Sequence, residues 1–224
     1  MQRSTRLTFS IVFWLLSLAD IIAIFSNSSL LHYIVKPLLV PVLIASLFLT
    51  VTNVAGRIFI TTGLFFSWMG DIFLLFESSH KLFFIFGLVC FLTTHVLYIT
   101  YFLRIRSVNV SLLKKQPVLL LLIIGYGTAL VWFLLPHLGD LKIPVMVYAT
   151  VICTMLLCSL HAYLKLNRAA ANAYLLGAAA FVLSDSLLAI NKFYQPFAYA
   201  GVGIMLTYCA AQFFIVRGFV KQDA

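Results

Sequence analysis

Three aspartates, Asp20, Asp71 and Asp185, stand inside otherwise apolar stretches of the chain. The stretch "GLFFSWMGDIFLLF", residues 63–76, holds Asp71 as its only charge. A charge near the centre of a bilayer costs roughly 3 kcal/mol on insertion scales, so an ionisable residue at that depth is a candidate for function. Carboxyl groups supply two chemistries, giving a proton and taking one. A low-dielectric setting disfavours the anion, and a second carboxylate nearby reinforces the effect because one proton is then shared. Asp71 and Asp185 sit in similar settings. Each follows a small residue, Gly70 or Ser184, and each has a glycine eight positions earlier, Gly63 or Gly177. Asp20 has no such setting, and charge pairing accounts for it.

The elements that carry these residues follow from composition. Of 224 residues, 63% are hydrophobic and 9% charged, against about a quarter charged in soluble domains. The apolar residues fall in blocks of about 20, the length that crosses a bilayer as a helix. The expectation is an all-α polytopic membrane protein, a bundle of eight transmembrane helices forming one domain over 1–224. The spans read as 7–25, 33–51, 57–76, 81–103, 117–136, 142–163, 170–191 and 197–219. The first run continues to Phe25 with no small-x-small cleavage site, so it reads as a helix and not as a signal peptide.

The formal charge of +9 does not point to nucleic acid, because of where the charges lie. With the N-terminus in the cytoplasm, eleven of the fifteen Lys and Arg residues fall on the inside and four (Lys36, Lys81, Lys142 and Lys192) on the outside. By the positive-inside rule both termini face the cytoplasm. The basic stretch from Arg104 to Lys115 reads as a topology signal beside anionic lipid. Glu77, Asp140 and Asp223 fall in loops or the tail, as solvated charges.

This topology sets depth. The first, third and seventh helices run outward, and each Asp lies four to six residues before the outer end, roughly 6–9 Å below it. Lys36 opens the second helix at that face. Lys192 follows Asp185 by seven residues, two turns above it on the same helical face. Three carboxylates and two amines are therefore expected in one outer layer. The fifth span, rich in large apolar residues, is expected to face lipid. The seventh, rich in Ala and Gly, is expected to be central, since small residues let helices approach closely. A parallel repeat of four and four helices would explain the echo between the two Asp settings.

Other chemistries lack their motifs. The four cysteines lie within spans and form no C-x-x-C. No H-E-x-x-H, G-x-S-x-G, P-loop or G-x-G-x-x-G occurs. No metal and no cofactor is expected. His95, mid-way along the fourth span, reads as a hydrogen-bonded interior histidine. His32, His80, His137 and His161 lie near span ends, where water reaches them. Ser67 and Ser184 orient carboxylates or serve as small contact residues.

Three segments, "HYIVKPLLVPVLIASL" (32–47), "FSWMGDIFLLF" (66–76) and "FVLSDSLLAINKFY" (181–194), resemble the signature segments of the YhhN-like lysoplasmalogenase family. The resemblance spans most of the chain. It implies hydrolysis of the vinyl ether bond of a lysoplasmalogen to a fatty aldehyde and a glycerophospho-headgroup compound. The two aspartates assigned to catalysis in the family fall on Asp71 and Asp185.

On this reading one Asp protonates carbon, and the other stabilises the oxocarbenium ion and takes a proton from water, as in glycosidases. Lys36 and Lys192 hold the phosphate as point charges, with hydrogen bonds from Tyr33, Asn191 and Tyr194 and orientation from Ser184. Interfacial anchoring is the competing account of Tyr33, Asn191 and Tyr194. The expected partners are a lysophospholipid substrate and membrane lipid. No nucleic acid and no obligate protein partner is expected, and the expected location is the bacterial inner membrane. Two other functions fit intramembrane aspartates, a proton-coupled secondary transporter and a non-catalytic lipid-binding protein.

Overall fold

The computed structural model describes residues 2–51, 54–106 and 111–222, the side chains of residues 2 and 3 apart. Asp223, the side chain of Arg3 and residues 107–110 of the basic connection lie outside them. The order is α1 (Gln2–Phe25), α2 (Ser29–Thr50), α3 (Val54–Leu75), α4 (Lys81–Ile105), the one-turn α5 (Leu112–Lys115), α6 (Val118–Leu134), α7 (Lys142–Ala162), α8 (Arg168–Ala189) and α9 (Ala200–Gln222). All but α5 are long and apolar enough to cross a membrane. The protein is an all-α polytopic membrane protein, as its sequence predicts. The described residues contain no strand.

Inside a bilayer every backbone polar group needs an internal partner, which a helix supplies by itself. The exceptions are instructive. Helix α2 contains Pro37 and Pro41. Proline has no N–H, so Pro41 leaves the carbonyl of Pro37 without its helical donor. The indole Nε1–H of Trp68 on α3 donates to that carbonyl at 2.8 Å. At the far end of α2, Arg6 of α1 donates to the carbonyl of Thr50 at 2.8 Å, and Arg57 of α3 donates to that of Val51 at 3.0 Å. Three side chains from the flanking helices thus satisfy carbonyls of α2 and of its C-cap residue.

Helix α8 is central, and its sequence says why. Ala170, Ala171, Ala173, Gly177 and Ala178 are all buried. A Cβ on Gly177 would stand 2.9 Å from the backbone nitrogen of Ile215 on α9, so the two backbones meet there. Around this pair the large core rings pack edge to face: Phe102 on Tyr174 at 5.2 Å and Phe181 on His95 at 5.2 Å between centroids. Such offset geometry is what the ring quadrupole favours.

Helix α6 is the opposite case. Only Leu134 on it is buried, and Trp132 is 76% exposed. Its side chains are left exposed by the rest of the bundle, in keeping with the expectation from its bulky uncharged sequence. Helix α8 ends differently from expectation. It passes into a single π turn, Ile190–Tyr194, which shifts Asn191, Lys192 and Tyr194 off the α-helical register that the seven-residue spacing assumes.

Candidate active site

Two carboxylate sites lie on either side of the core, each built from a helix bearing the Asp and a neighbour bearing a phenol. On α3, Ser67 and Asp71 are four residues apart and share a face. On α9, Tyr208 and Gln212 do the same. The two faces meet. Tyr208 donates its hydroxyl proton to Asp71 Oδ2. Gln212 Nε2 donates to the Tyr208 oxygen at 2.8 Å and also to Ser67 Oγ. Asp71 is 2% exposed and sealed from solvent.

The second site joins α4, α7 and α8. Tyr148 of α7 donates its proton to Asp185 Oδ2. His95 Nε2 of α4 stands 3.1 Å from the Tyr148 oxygen and 3.4 Å from Asp185 Oδ2. With the phenol's proton committed to the carboxylate, its oxygen can only accept, which assigns the proton of neutral His95 to Nε2. Nδ1 is then a bare acceptor, buried without a partner, the less costly group to orphan. The Asp185 side chain is 17% exposed. The exposure opens on an apolar cleft lined by Leu74, Phe84, Leu88, Phe91, Val145, Tyr148, Asp185, Leu188, Ala189 and Phe193. Asp185 and Tyr148 are the ionisable groups in that wall.

No hydrogen bond or ion pair joins Asp71 to Asp185 among the described residues. Phe181 stands between the sites, its ring against both Tyr208 (6.1 Å) and His95 (5.2 Å). Tyr148 and Tyr208 lie within electrostatic range of each other. The expected single layer of three carboxylates and two amines is therefore divided. One part gathers Asp20, His32 and Lys36 within electrostatic reach of Asp71. The other is Asp185 with its phenol and imidazole.

Within the first part His32 is not simply wet. Its Nδ1 lies 2.8 Å from Oδ1 of Asp20, which is fully buried. Lys36 is 9% exposed, with no hydrogen bond or ion pair to any described residue. Its charge acts on Asp71. The remaining sequence candidates are dispersed. Lys192 pairs with Glu77 Oε2 at 3.1 Å, so Glu77 is not a lone solvated charge. Tyr33 donates to the carbonyl of Leu75 at 3.1 Å. Ser184 donates to the carbonyl of Ile204 at 3.1 Å and turns away from the Asp185 carboxylate. Asn191 accepts from the backbone N–H of Phe197 at 3.3 Å, and Tyr194 packs on Phe133 and His137. No three His, Cys, Asp or Glu groups among the described residues are placed to hold a metal ion. The four cysteines are free.

The sequence model of the YhhN family matches residues 31–219. The chain belongs to the YhhN family. Among curated proteins it is similar to the lysoplasmalogenase of Mycobacterium tuberculosis, 32% identical over 138 residues, which are 61% of this chain and 51% of the relative. It is 33% identical over 155 residues to human lysoplasmalogenase TMEM86B, covering 69% of this chain and 60% of the relative. It is 34% identical over 172 residues to bovine lysoplasmalogenase TMEM86A, covering 75% and 67%. The chain spans about half the length of the mycobacterial relative it matches. No solved structure matches it. The matched YhhN region contains Asp71, Asp185, Tyr148, Tyr208 and His95, and leaves α1 with Asp20 outside.

Proposed function

We propose that the protein hydrolyses the vinyl ether bond of a lysoplasmalogen, releasing a fatty aldehyde and a glycerophospho-headgroup compound. Relatives named lysoplasmalogenase support the reaction class. The observation that carries the reading is the apolar cleft with a carboxyl group set in its wall. An alkenyl chain is satisfied by Leu74, Leu88, Phe91 and Val145, and the reaction needs one proton donor against it.

Asp185 is that donor in this mechanism, because it reaches the cleft and Asp71 does not. Its carboxylic acid gives its proton to the vinyl carbon beta to the ether oxygen. The carbon–carbon π pair forms the new C–H bond, and an oxygen lone pair becomes the second bond of the oxocarbenium ion. The Asp185 carboxylate left behind faces that cation, with the Tyr148 hydroxyl and His95 Nε2 beside it. Water adds to the cationic carbon and returns a proton to Asp185. The hemiacetal then loses its glycerol oxygen as an alcohol, and the aldehyde leaves. The proton count closes with one water consumed. Sealed behind Tyr208, Asp71 fixes that phenol in the core, and the Lys36 ammonium offsets its charge.

The Lys and Arg asymmetry supports an orientation with both termini in the cytoplasm, and the membrane proposed is the bacterial inner membrane. The cleft residues Leu188, Ala189 and Phe193 then lie toward the outer leaflet, at the depth of a lysolipid's vinyl ether.

The test is aldehyde release from lysoplasmenyl-ethanolamine in detergent, with an ester lysolipid as control. Asp185→Asn, folded by thermal melt, is expected to lose activity by about a thousandfold or more, the scale of an acid catalyst removed. Asp71→Asn is expected to lose less. Folded wild type that releases no aldehyde across headgroups and pH would sink the assignment.

A further inference from the structure

The ion pair between Glu77 and Lys192 lies at the edge of the cleft. Lys192 Nζ sits 5.0 Å from the centroid of the Phe84 ring. Phe84 lines the cleft and packs edge-on against Phe193, which lines it too. Glu77 reaches the same point from the turn after α3, with Oε2 at 3.1 Å from Nζ. Both side chains remain about a third exposed, 36% for Lys192 and 32% for Glu77, while the pairing oxygen Oε2 is itself buried and held by charge alone, without a hydrogen bond. At that exposure an ion pair is worth about 0–1 kcal/mol and opens readily to a competing partner.

Resting on the vinyl ether hydrolase reading, we propose that Glu77 and Lys192 together form a headgroup subsite that selects a zwitterionic phosphodiester, Lys192 taking the phosphate and Glu77 the ammonium. Distance supports it. Asp185, Leu188, Ala189, Lys192 and Phe193 follow one another along the end of α8 and its π turn, four of them in the cleft wall. Lys192 lies seven residues beyond Asp185, four of them in α8 and three in the π turn, so no more than about 10 Å along the axis, the upper bound set by α-helical rise. In an extended lysolipid the glycerol backbone sets the phosphorus a comparable distance from the vinyl ether carbon. With that carbon at Asp185, the phosphate arrives at Lys192.

Charge supports it as well. A lone lysine would accept any phosphate, and a dianionic monoester best of all. Glu77 beside it repels extra negative charge and offers a carboxylate to a cation one short linker away from the phosphate. The pair is thus complementary to a phosphate followed by an ammonium group. The Phe84 ring adds a face for the ammonium or its methyl groups.

The experiment uses three substrates with one alkenyl chain: lysoplasmenyl-ethanolamine, the alkenylglycerol phosphate monoester, and the alkenylglycerol with no phosphate. Aldehyde release gives kcat/KM for each, with the alkenylglycerol as internal reference for the chemical step. In wild type the ethanolamine substrate is expected to lead. In Glu77→Gln its kcat/KM relative to the reference is expected to fall about tenfold, one charge-assisted contact, while the monoester holds or gains. In Lys192→Gln both phosphate-bearing substrates are expected to fall against the reference. An equal fall for both phosphates in Glu77→Gln would overturn the ammonium contact, leaving Glu77 as a prop for Lys192. Wild type that turns over all three equally would overturn the subsite and leave the hydrolase standing. Wild type that turns over none would overturn both.

Discussion

The Asp20–His32 pair shows what one buried charge demands of its neighbours. Asp20 is fully buried, one oxygen is held by His32 at 2.8 Å, and the other has no hydrogen-bond partner. Removing one member of a buried pair leaves an uncompensated charge, typically worth 3–5 kcal/mol. His32→Ala is therefore expected to destabilise the protein by about 3 kcal/mol, read as a lowered melting transition in detergent. Asp20→Asn removes the charge at nearly constant shape and is expected to cost less. A larger loss in Asp20→Asn than in His32→Ala would contradict the pairing.

The position of the three aspartates, four or five residues before the ends of α1, α3 and α8, was legible in the sequence, because span length fixes it. Their partners were not. Tyr148 and Tyr208 sit on helices apolar on most faces, so nothing in those sequences gives the rotation that aims them. The four-residue spacing of Ser67 with Asp71, and of Tyr208 with Gln212, was a usable signal. It becomes meaningful once α3 and α9 are known to face each other. His95 was recognised as an interior hydrogen-bonded residue, but its place beside Asp185 was not.

At the scale of helices, small residues decide where backbones meet. A Cβ at Gly177 would meet the α9 backbone itself at 2.9 Å, and one at Gly63 would meet the Tyr98 ring at 2.5 Å. A ring can move and a backbone moves only with its helix. Gly177→Ala is expected to cost about 1–3 kcal/mol as an overpacked contact, and Gly63→Ala less. Gly125 on α6 has nothing within 4 Å of its Cβ position, so Gly125→Ala is expected to be neutral within about 0.5 kcal/mol. Thermal melts of the three variants in one detergent check the ranking, and a Gly125→Ala as damaging as Gly177→Ala would refute it. The central place of α8 and the peripheral place of α6 were both legible, because residue size directly controls how closely a helix can approach. The π turn after α8 was not, since Ile190–Tyr194 has no proline or glycine to announce it.

At the scale of the whole molecule, the bundle is uneven. The core runs through α1 to α4 and α7 to α9, and α6 lies outside it with its side chains exposed. Trp132 on α6 is 76% exposed, whereas Trp68 is partly buried and committed to Pro37. In variants keeping one tryptophan each, brominated acyl chains are expected to quench Trp132 strongly and Trp68 weakly. Equal quenching would mean that α6 packs against protein. Span number and order were legible throughout, since the bilayer imposes a length that composition reveals.

The hydrogen bond from Trp68 to Pro37 also bears on how the chain is made. Its partners are 31 residues apart. Helix α2 is synthesised first, and it leaves the ribosome with a carbonyl that its own sequence cannot satisfy. Alone in lipid, α2 would hold that group bare. The donor emerges only when much of α3 has followed. The two helices are therefore suited to enter the membrane as a hairpin, the second completing the first before either is released to the bilayer.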